Sequence, residues 1–475
     1  MFVSLREFLT ALENDERMRG QLCRVATPVD KAWEIAAVTR LAIQRFRREW
    51  RPALLFERVR GYEMPVVVGA LFNPTKYAYA LGCSPAEILE RWLQALRRPL
   101  QPVLVSQGPC QEVVRQGTEA NFFDLPIPVW TPGYDAAPYL TGNCVISRDP
   151  ETGARNVGTY RMQVKGERRA GLGLHSFNHG HQHLLKYEKL GRPMPVAVAI
   201  GCDPSVAMTS VAKLELGDDE LALAGGLRGA PVELVRCRTI DLEAPAHAEI
   251  ILEGEVPAGV REIEGPFGEM SGYVSPAAER PIFELKCITC RSAPLLQAYG
   301  SQKPPSESAN LRGIANAAMV YRTLVETERL PGILDVHLAD STSAHGHVLI
   351  KMQPRSRDHV RQVLAAARRL GPRYGKIITV VDEDIDIRDA EEVDWAHSFR
   401  MQPARDVAII EEPLSFPQDH SLAPPGTPPE ERPASSKMII DATKKWPYEP
   451  VSLPEAEAMK RAEERWREYG IGVEG

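Results

Sequence analysis

Glu264 and Glu269 bracket the turn Gly265-Pro266-Phe267-Gly268. Two carboxyl groups forced close together split their proton affinities, so one can keep a proton to donate while the other stays ionised. An arginine between them would hold the second one charged. Spacing alone favours a plainer reading, a surface loop with two solvated acids. Arg161 sits inside the apolar run Gly158–Val164. An arginine there either snorkels to the surface or reaches a buried anion, and without further signals the surface is the default. His175, His179, His181 and His183 fall within nine residues of a chain with eleven histidines. The default is a polar helix start with satisfied histidines, but the clustering also suits metal ligation. Glu220 ends the acidic run Asp218-Asp219-Glu220 and opens an apolar stretch reaching Gly229. Taken alone, that run reads as a solvated turn.

Other motifs carry less. There is no Walker-A pattern and no GxGxxG; Gly225-Gly226-Leu227-Arg228-Gly229 has the wrong spacing. Asp382-Glu383-Asp384-Ile385-Asp386 opens like an EF-hand loop, but Ile387 and Val393 stand where Gly and Glu are required. It reads instead as a strand end with solvated acids. His345-Gly346-His347 reads as a surface turn. Cys287 and Cys290 form the CxxC of this chain. With no second pair nearby, they read as buried reduced thiols in a strand.

The elements that must position these groups follow from periodicity. Leu5, Phe8, Leu9 and Leu12 predict a helix over Leu5–Glu13. Trp33–Arg47 and Pro85–Leu96 are further helices, and Ala53–Val59 and Met64–Leu71 are strands. This is a small α/β unit. From Asn121 to Ala298 strands dominate: Cys144–Ser147, Gly158–Val164, Val196–Ile200, Val232–Arg236, Ala248–Leu252 and Phe283–Cys290, with one helix near His181–Leu190. Such a run suggests a barrel or sandwich. The C-terminal region returns to α/β, with helices Ile314–Glu328 and Arg357–Leu370, strands Gly332–His337 and Ile377–Val381, a Pro-rich loop at Pro424–Pro433, and a charged final helix Pro454–Tyr469.

The chain of 475 residues has room for two or three domains, with 44% hydrophobic and 25% charged residues and a net charge of −6. No basic footprint points to nucleic acid or an anionic membrane. Charges interrupt the N-terminal stretch, and no long uncharged apolar run occurs, so the cytoplasm is the expected location.

Four stretches in order, Arg155–Val164, His175–His183, Asp218–Gly229 and Glu264–Met270, resemble the UbiD family of reversible decarboxylases. The resemblance extends to Gly191–Pro204, Ala248–Gly254, Val380–Asp386 and Ser436–Thr443, and so over nearly the whole chain. It implies an α+β protein with an N-terminal α/β domain (1–115), a central split β-barrel binding prenylated FMN and metal (116–310), and a C-terminal α/β oligomerisation domain with a helical tail (311–475).

By motif position, the resemblance implies Asn156, His179 and Glu220 as ligands of Mn2+ or Mg2+, with K+ alongside. An amide oxygen, an imidazole and a carboxylate suit such cations. His175 or His181 could replace His179, and Glu249 is a weaker carboxylate candidate. Arg161, Glu264 and Glu269 are the implied catalytic trio, with Glu269 donating the proton and Glu264 holding Arg161. Thr159, Tyr160 and Arg161, together with Asn156, His179 and Lys437, are the implied cofactor contacts. In a regular strand, Asn156 and Arg161 would face opposite ways, so their joint use needs a break between them.

The implied reaction is the reversible, non-oxidative decarboxylation of an aromatic, heteroaromatic or α,β-unsaturated acid. It runs through a covalent adduct with prenylated FMN, which serves as the electron sink that no side chain provides. A flavin prenyltransferase would supply the cofactor, and the chain would form a homodimer or homohexamer. The competing readings are a flavin-reductase-like FMN oxidoreductase and a non-catalytic subunit of a carboxylase complex. Which acid is used, and in which direction, is not written in one sequence.

Overall fold

The computed structural model describes residues 1–176, 178–371, 374–412, 419–424, 426–428 and 431–470; Phe177 of the histidine stretch and parts of the Pro424–Pro433 segment lie outside them. The N-terminal helix Leu5–Asn14 is capped by Ser4, whose side chain accepts from Glu7 N, and it buries Leu5, Phe8, Leu9 and Leu12. It packs beside a four-stranded sheet in the order Leu22–Val25, Ala53–Phe56, Val66–Val68, Leu296–Ala298. The fourth strand comes from far down the chain and pairs parallel to Val66–Val68.

The central ten-stranded sheet is built on Ala278–Cys290, a 13-residue strand. Its partners include Ile250–Val256, Arg169–Leu172, Arg261–Glu264 and Val113–Gln116. The hydrogen-bonded path begins at Tyr139–Leu140, passes through Met162–Gly166, and ends through Asn143–Arg148 at Arg155–Gly158. It is not a closed barrel among the described residues. Strand Arg155–Gly158 lies at one edge, while Met162–Gly166, next in sequence, lies at the other end of the path. Only Thr159, Tyr160 and Arg161 connect them, and a four-step link spans roughly 14 Å at most. The sheet therefore curls until its two ends nearly meet, and these three residues bridge the seam.

The single strand expected over Gly158–Val164 is thus two strands. The break removes the alternation problem for Asn156 and Arg161, which sit on opposite sides of the seam. The bridge is held in place: Thr159 N donates to Ser210 O (2.9 Å), the Thr159 and Ser210 hydroxyls meet at 2.8 Å, and Asn143 Nδ2 donates to Tyr160 O (2.8 Å).

The C-terminal sheet has the order Ile333–Leu338, His347–Met352, Ile377–Asp382, Ser435–Ala442, Val407–Glu412. The helix Glu307–Arg322 begins seven residues before its expected start. Ser306 caps it by accepting from Ala309 N, and Ala and Gly positions keep its flanks thin. Leu311, Ala315, Ala318 and Met319 join the N-terminal core, whereas Ala317 and Val320 join the C-terminal one. The acids at the end of Ile377–Asp382 are not merely solvated, as expected. Asp382 and Asp384 both accept from Arg400 Nη1, at 3.0 and 2.7 Å. His347 is not in a surface turn; it opens a strand and meets Thr379 Oγ1 at 2.9 Å. Cys287 and Cys290 are buried free thiols.

Candidate active site

Arg161 is buried rather than surface-directed. Its Nε and Nη2 donate to the two oxygens of Glu264, both at 2.9 Å, and Nη1 donates to Glu269. The side chains of Glu264 and Glu269 are 1% and 7% exposed, so the expected pair of solvated acids is instead a desolvated Glu-Arg-Glu cluster. Burial alone would lower the Arg161 pKa, but Glu269 and then Glu264 overcome it and the net shift is upward. The Phe267 ring lies 4.8 Å from the guanidinium carbon and closes that side.

Two glycines make the room. A Cβ on Gly173 would stand 2.8 Å from Arg161 Cγ, and one on Gly171 would stand 3.0 Å from Glu264 Cγ. The turn itself is fixed by Asp135: its Oδ1 accepts from Gly268 N and its Oδ2 from Thr131 N, both at 2.8 Å.

Across the seam lies a second cluster centred on Tyr160. Its hydroxyl accepts from Asn156 Nδ2 at 3.3 Å and is influenced by the Glu220 carboxylate and the Gly180 amide. The ring covers Gly158 and Gly180, where a Cβ would fall 2.3 Å from Tyr160 Cζ and 3.1 Å from Cε2. Burial pushes the Tyr160 hydroxyl up to about 12. The structure therefore gathers Asn156, Glu220 and the start of the helix His179–Lys189 around one phenol.

Glu220 is not in a solvated turn. It opens the helix Glu220–Arg228, capped by Asp219, and is 3% exposed. Its Oε2 accepts from Val157 N at 2.8 Å, and burial pushes its carboxyl up to about 8. A desolvated carboxyl beside a buried amide fits a bound cation, which would restore its charge. Among the described residues no group of three or more His, Cys, Asp or Glu side chains forms a metal site; the Asn156–His179–Glu220 set contains only two of those types.

The histidines separate by environment. His183 Nδ1 meets Ser147 Oγ at 3.0 Å in the core. Burial, then Arg161 and Arg280, pushes His175 down to about 4, which places it on the Arg161 side. His181 is influenced by Arg261, Glu188 and Arg280. His179 adjoins Gly180 and hence Tyr160. Glu249 is engaged by Arg6, with bonds of 2.8 and 2.7 Å, and so is structural. Lys437 is not brought to either cluster by any hydrogen bond described: its Nζ donates to the carbonyls of Leu370 and Gly371. It lines a cavity of about 430 Å³ with Lys303, Lys376 and Tyr273, the last of which accepts from Glu269 N at 2.8 Å.

Sequence reasoning missed Arg280 and Arg312, both of which feel the Glu269 charge. Neither lies in a motif. Arg312 sits in a mostly small and apolar helix, which was the available signal.

Family models for the N-terminal, Rift-related and C-terminal domains of 3-octaprenyl-4-hydroxybenzoate carboxy-lyase match residues 14–96, 102–304 and 309–442. An uncharacterised protein of Archaeoglobus fulgidus is 34% identical, covering 98% of each chain. An evolved dimeric form of the UbiD-class enzyme HmfF from Pelotomaculum thermopropionicum, in complex with prFMN, is 37% identical with a TM-score of 0.85, covering 98% of this chain and all of that one. Vanillic acid decarboxylase of Sedimentibacter hydroxybenzoicus is 30% identical with a TM-score of 0.85, covering 99% of both. The chain belongs to the UbiD family of carboxy-lyases. No helix among the described residues is long and apolar enough to cross a membrane.

Proposed function

We propose that the protein is a prenylated-FMN-dependent decarboxylase of aromatic or heteroaromatic acids, with Glu269 as proton donor. The buried Arg161 cluster carries this reading: a doubly engaged guanidinium between two desolvated carboxylates is costly to build and serves no hydride transfer. The prFMN complex of the similar HmfF protein supports the cofactor.

Asn156, His179 and Glu220 would hold Mn2+ or Mg2+, and Thr159–Arg161 would lie along the flavin, joining the metal cluster to the proton-transfer cluster. When bound, the prenylated flavin supplies the sink for the electron pair left as CO2 departs. Arg161 fixes the two carboxyl groups. It holds Glu264 through two nitrogens and Glu269 through one, so Glu269 is the freer of the two to move and protonate the carbon that lost CO2. Phe267 and the curled sheet exclude water from the trio.

The test is to express the chain with and without a flavin prenyltransferase, purify it anaerobically, and identify the released cofactor and metal by mass spectrometry. Prenylated FMN near one per chain with manganese is the expected result. Plain FMN alone, together with NAD(P)H oxidation, would replace this reading with the reductase-like one.

A further inference from the structure

A cavity of about 330 Å³ lies where three parts of the chain meet. The helix Glu307–Arg322 contributes Ile314 and Ala317, the N-terminal region contributes Pro85, Ile88 and Leu89, and the strand Ile333–Leu338 contributes His337. Arg48 and Asp340 complete the wall. None of these residues belongs to the Arg161 or Tyr160 clusters.

The interior charges do not balance. Arg48 Nε and Arg51 Nη1 both approach Asp340 Oδ2, each at 3.5 Å, so two guanidiniums share one carboxylate. Arg48 Nε and Arg51 Nε are out of solvent with no hydrogen-bond partner among the described residues. Buried donors of this kind are rare and cost free energy until something accepts from them. Burial, then Arg48 and Arg388, hold His337 well below the usual histidine range, so its ring is a neutral donor near the same guanidinium. Arg388 and Asp386 also line the cavity but are exposed, which puts them at its rim, where water screens them. There Arg388 bonds both oxygens of Asp335, and its amide donates to Asp386 Oδ1 at 2.8 Å.

One excess positive charge, withdrawn from water beside Ile88, Leu89 and Ile314, suits a monoanion with an apolar body. A bare phosphate would leave the apolar wall uncovered, and a neutral hydrocarbon would leave the guanidinium N–H groups unpaired. A carboxylate matches the guanidinium fork.

One turn joins this cavity to the one that holds Lys437. Asp340 opens the turn Asp340–Thr342, and Ser341, Thr342 and Ser343 line the Lys437 cavity beside Tyr273. Ser343 and Ala344 then follow with φ of 61° and 57°, a left-handed backbone that strains residues other than glycine. An anion that accepts from Arg48 completes the charge balance around Asp340 and so firms a strained turn whose other side faces Lys437.

We propose that this cavity binds a small carboxylate with an apolar body, gripped by Arg48, and that its occupancy orders the Asp340–Ser343 turn and with it one wall of the Lys437 cavity. Neither half depends on the decarboxylase reading.

The probe is cyclohexanecarboxylate, whose saturated body offers no sp2 carbon for loss of CO2. It is titrated calorimetrically into the protein as purified and into Arg48→Gln and Ala86→Trp. Ala86 is exposed and lines the cavity, so an indole there blocks it without entering the core. Saturable binding at one site per chain is expected, weakened about tenfold or more in Arg48→Gln, as for loss of one charged partner in a buried site, and abolished in Ala86→Trp. Amide exchange of Ser343, Ala344 and Gly346, followed by mass spectrometry, should slow several-fold with ligand in the unmodified protein and not in Ala86→Trp. No binding to the unmodified protein overturns the site, and so does undiminished binding in either variant. Binding without slower exchange overturns the coupling to the turn. If Arg48→Gln fails to fold, Ala86→Trp alone decides.

Discussion

Replacing Arg161 with methionine removes the guanidinium that Glu264 and Glu269 share while keeping most of the side-chain volume. The two carboxylates are almost fully buried and would then face each other without it. Removing one partner of a buried ion pair costs about 3–5 kcal/mol. In a domain of this size each kcal/mol moves the midpoint by roughly 2–4 °C, so the central domain should melt about 6–20 °C lower at pH 8.

The sign with pH follows from linkage. The folded variant relieves the repulsion by binding a proton, whereas the unfolded chain has ionised acids throughout this range. The folded state therefore holds more protons, and stability falls as pH rises. In the unmodified protein Glu269 and Glu264 drive Arg161 upward against burial, so it stays charged at every pH tested. Calorimetric scans of both proteins at pH 5, 6.5 and 8 should show a deficit that shrinks by more than half at pH 5. An equal deficit at pH 5 and pH 8 would refute the idea that Arg161 relieves charge repulsion between the two carboxyl groups. Adding Glu264→Gln to the variant should recover part of the loss at pH 8.

Glu269→Gln should lower turnover roughly a hundredfold or more while the protein still copurifies with flavin, measured by CO2 release and cofactor absorbance. Unchanged turnover would remove Glu269 as the proton donor. Gly158→Ala puts a Cβ 2.3 Å from Tyr160 Cζ. The phenol must shift, and manganese per chain, measured by elemental analysis, should fall several-fold; full metal content would mean that Tyr160 does not organise the Asn156–Glu220 cluster. Arg400→Met strips the buried partner from Asp382, and C-terminal stability should drop by about 3–5 kcal/mol in denaturant melts followed by Trp395 fluorescence. No change there would mean that Lys444, whose amide donates to Asp382 at 2.7 Å, suffices alone.

Much of this was legible because the motif residues sit where local order is strong. The helix Leu5–Asn14 and strand Met194–Ile200 followed from periodicity and apolar runs. Arg161, Glu264 and Glu269 were found through the resemblance, while spacing alone pointed to solvent for each of them. Burial of a charge depends on partners more than a hundred residues away, and a local window does not see them. The seam at Thr159–Arg161 was hidden for the same reason: its residues have ordinary strand propensity, and tertiary curvature overrides it. Asp382 and Asp384 looked solvated because Arg400 arrives from a later helix. Arg312 carried no signal beyond being polar in a small-residue helix.

The strand Leu296–Ala298 has a consequence for how the chain is made. The N-terminal sheet lacks its fourth strand until ribosomal synthesis has passed through the whole intervening ten-stranded sheet, a delay on the order of tens of seconds at ordinary elongation rates. Until then Val66–Val68 presents a bare apolar edge that invites foreign strands. Completion of the N-terminal sheet waits on the very segment that leads into the helix Glu307–Arg322.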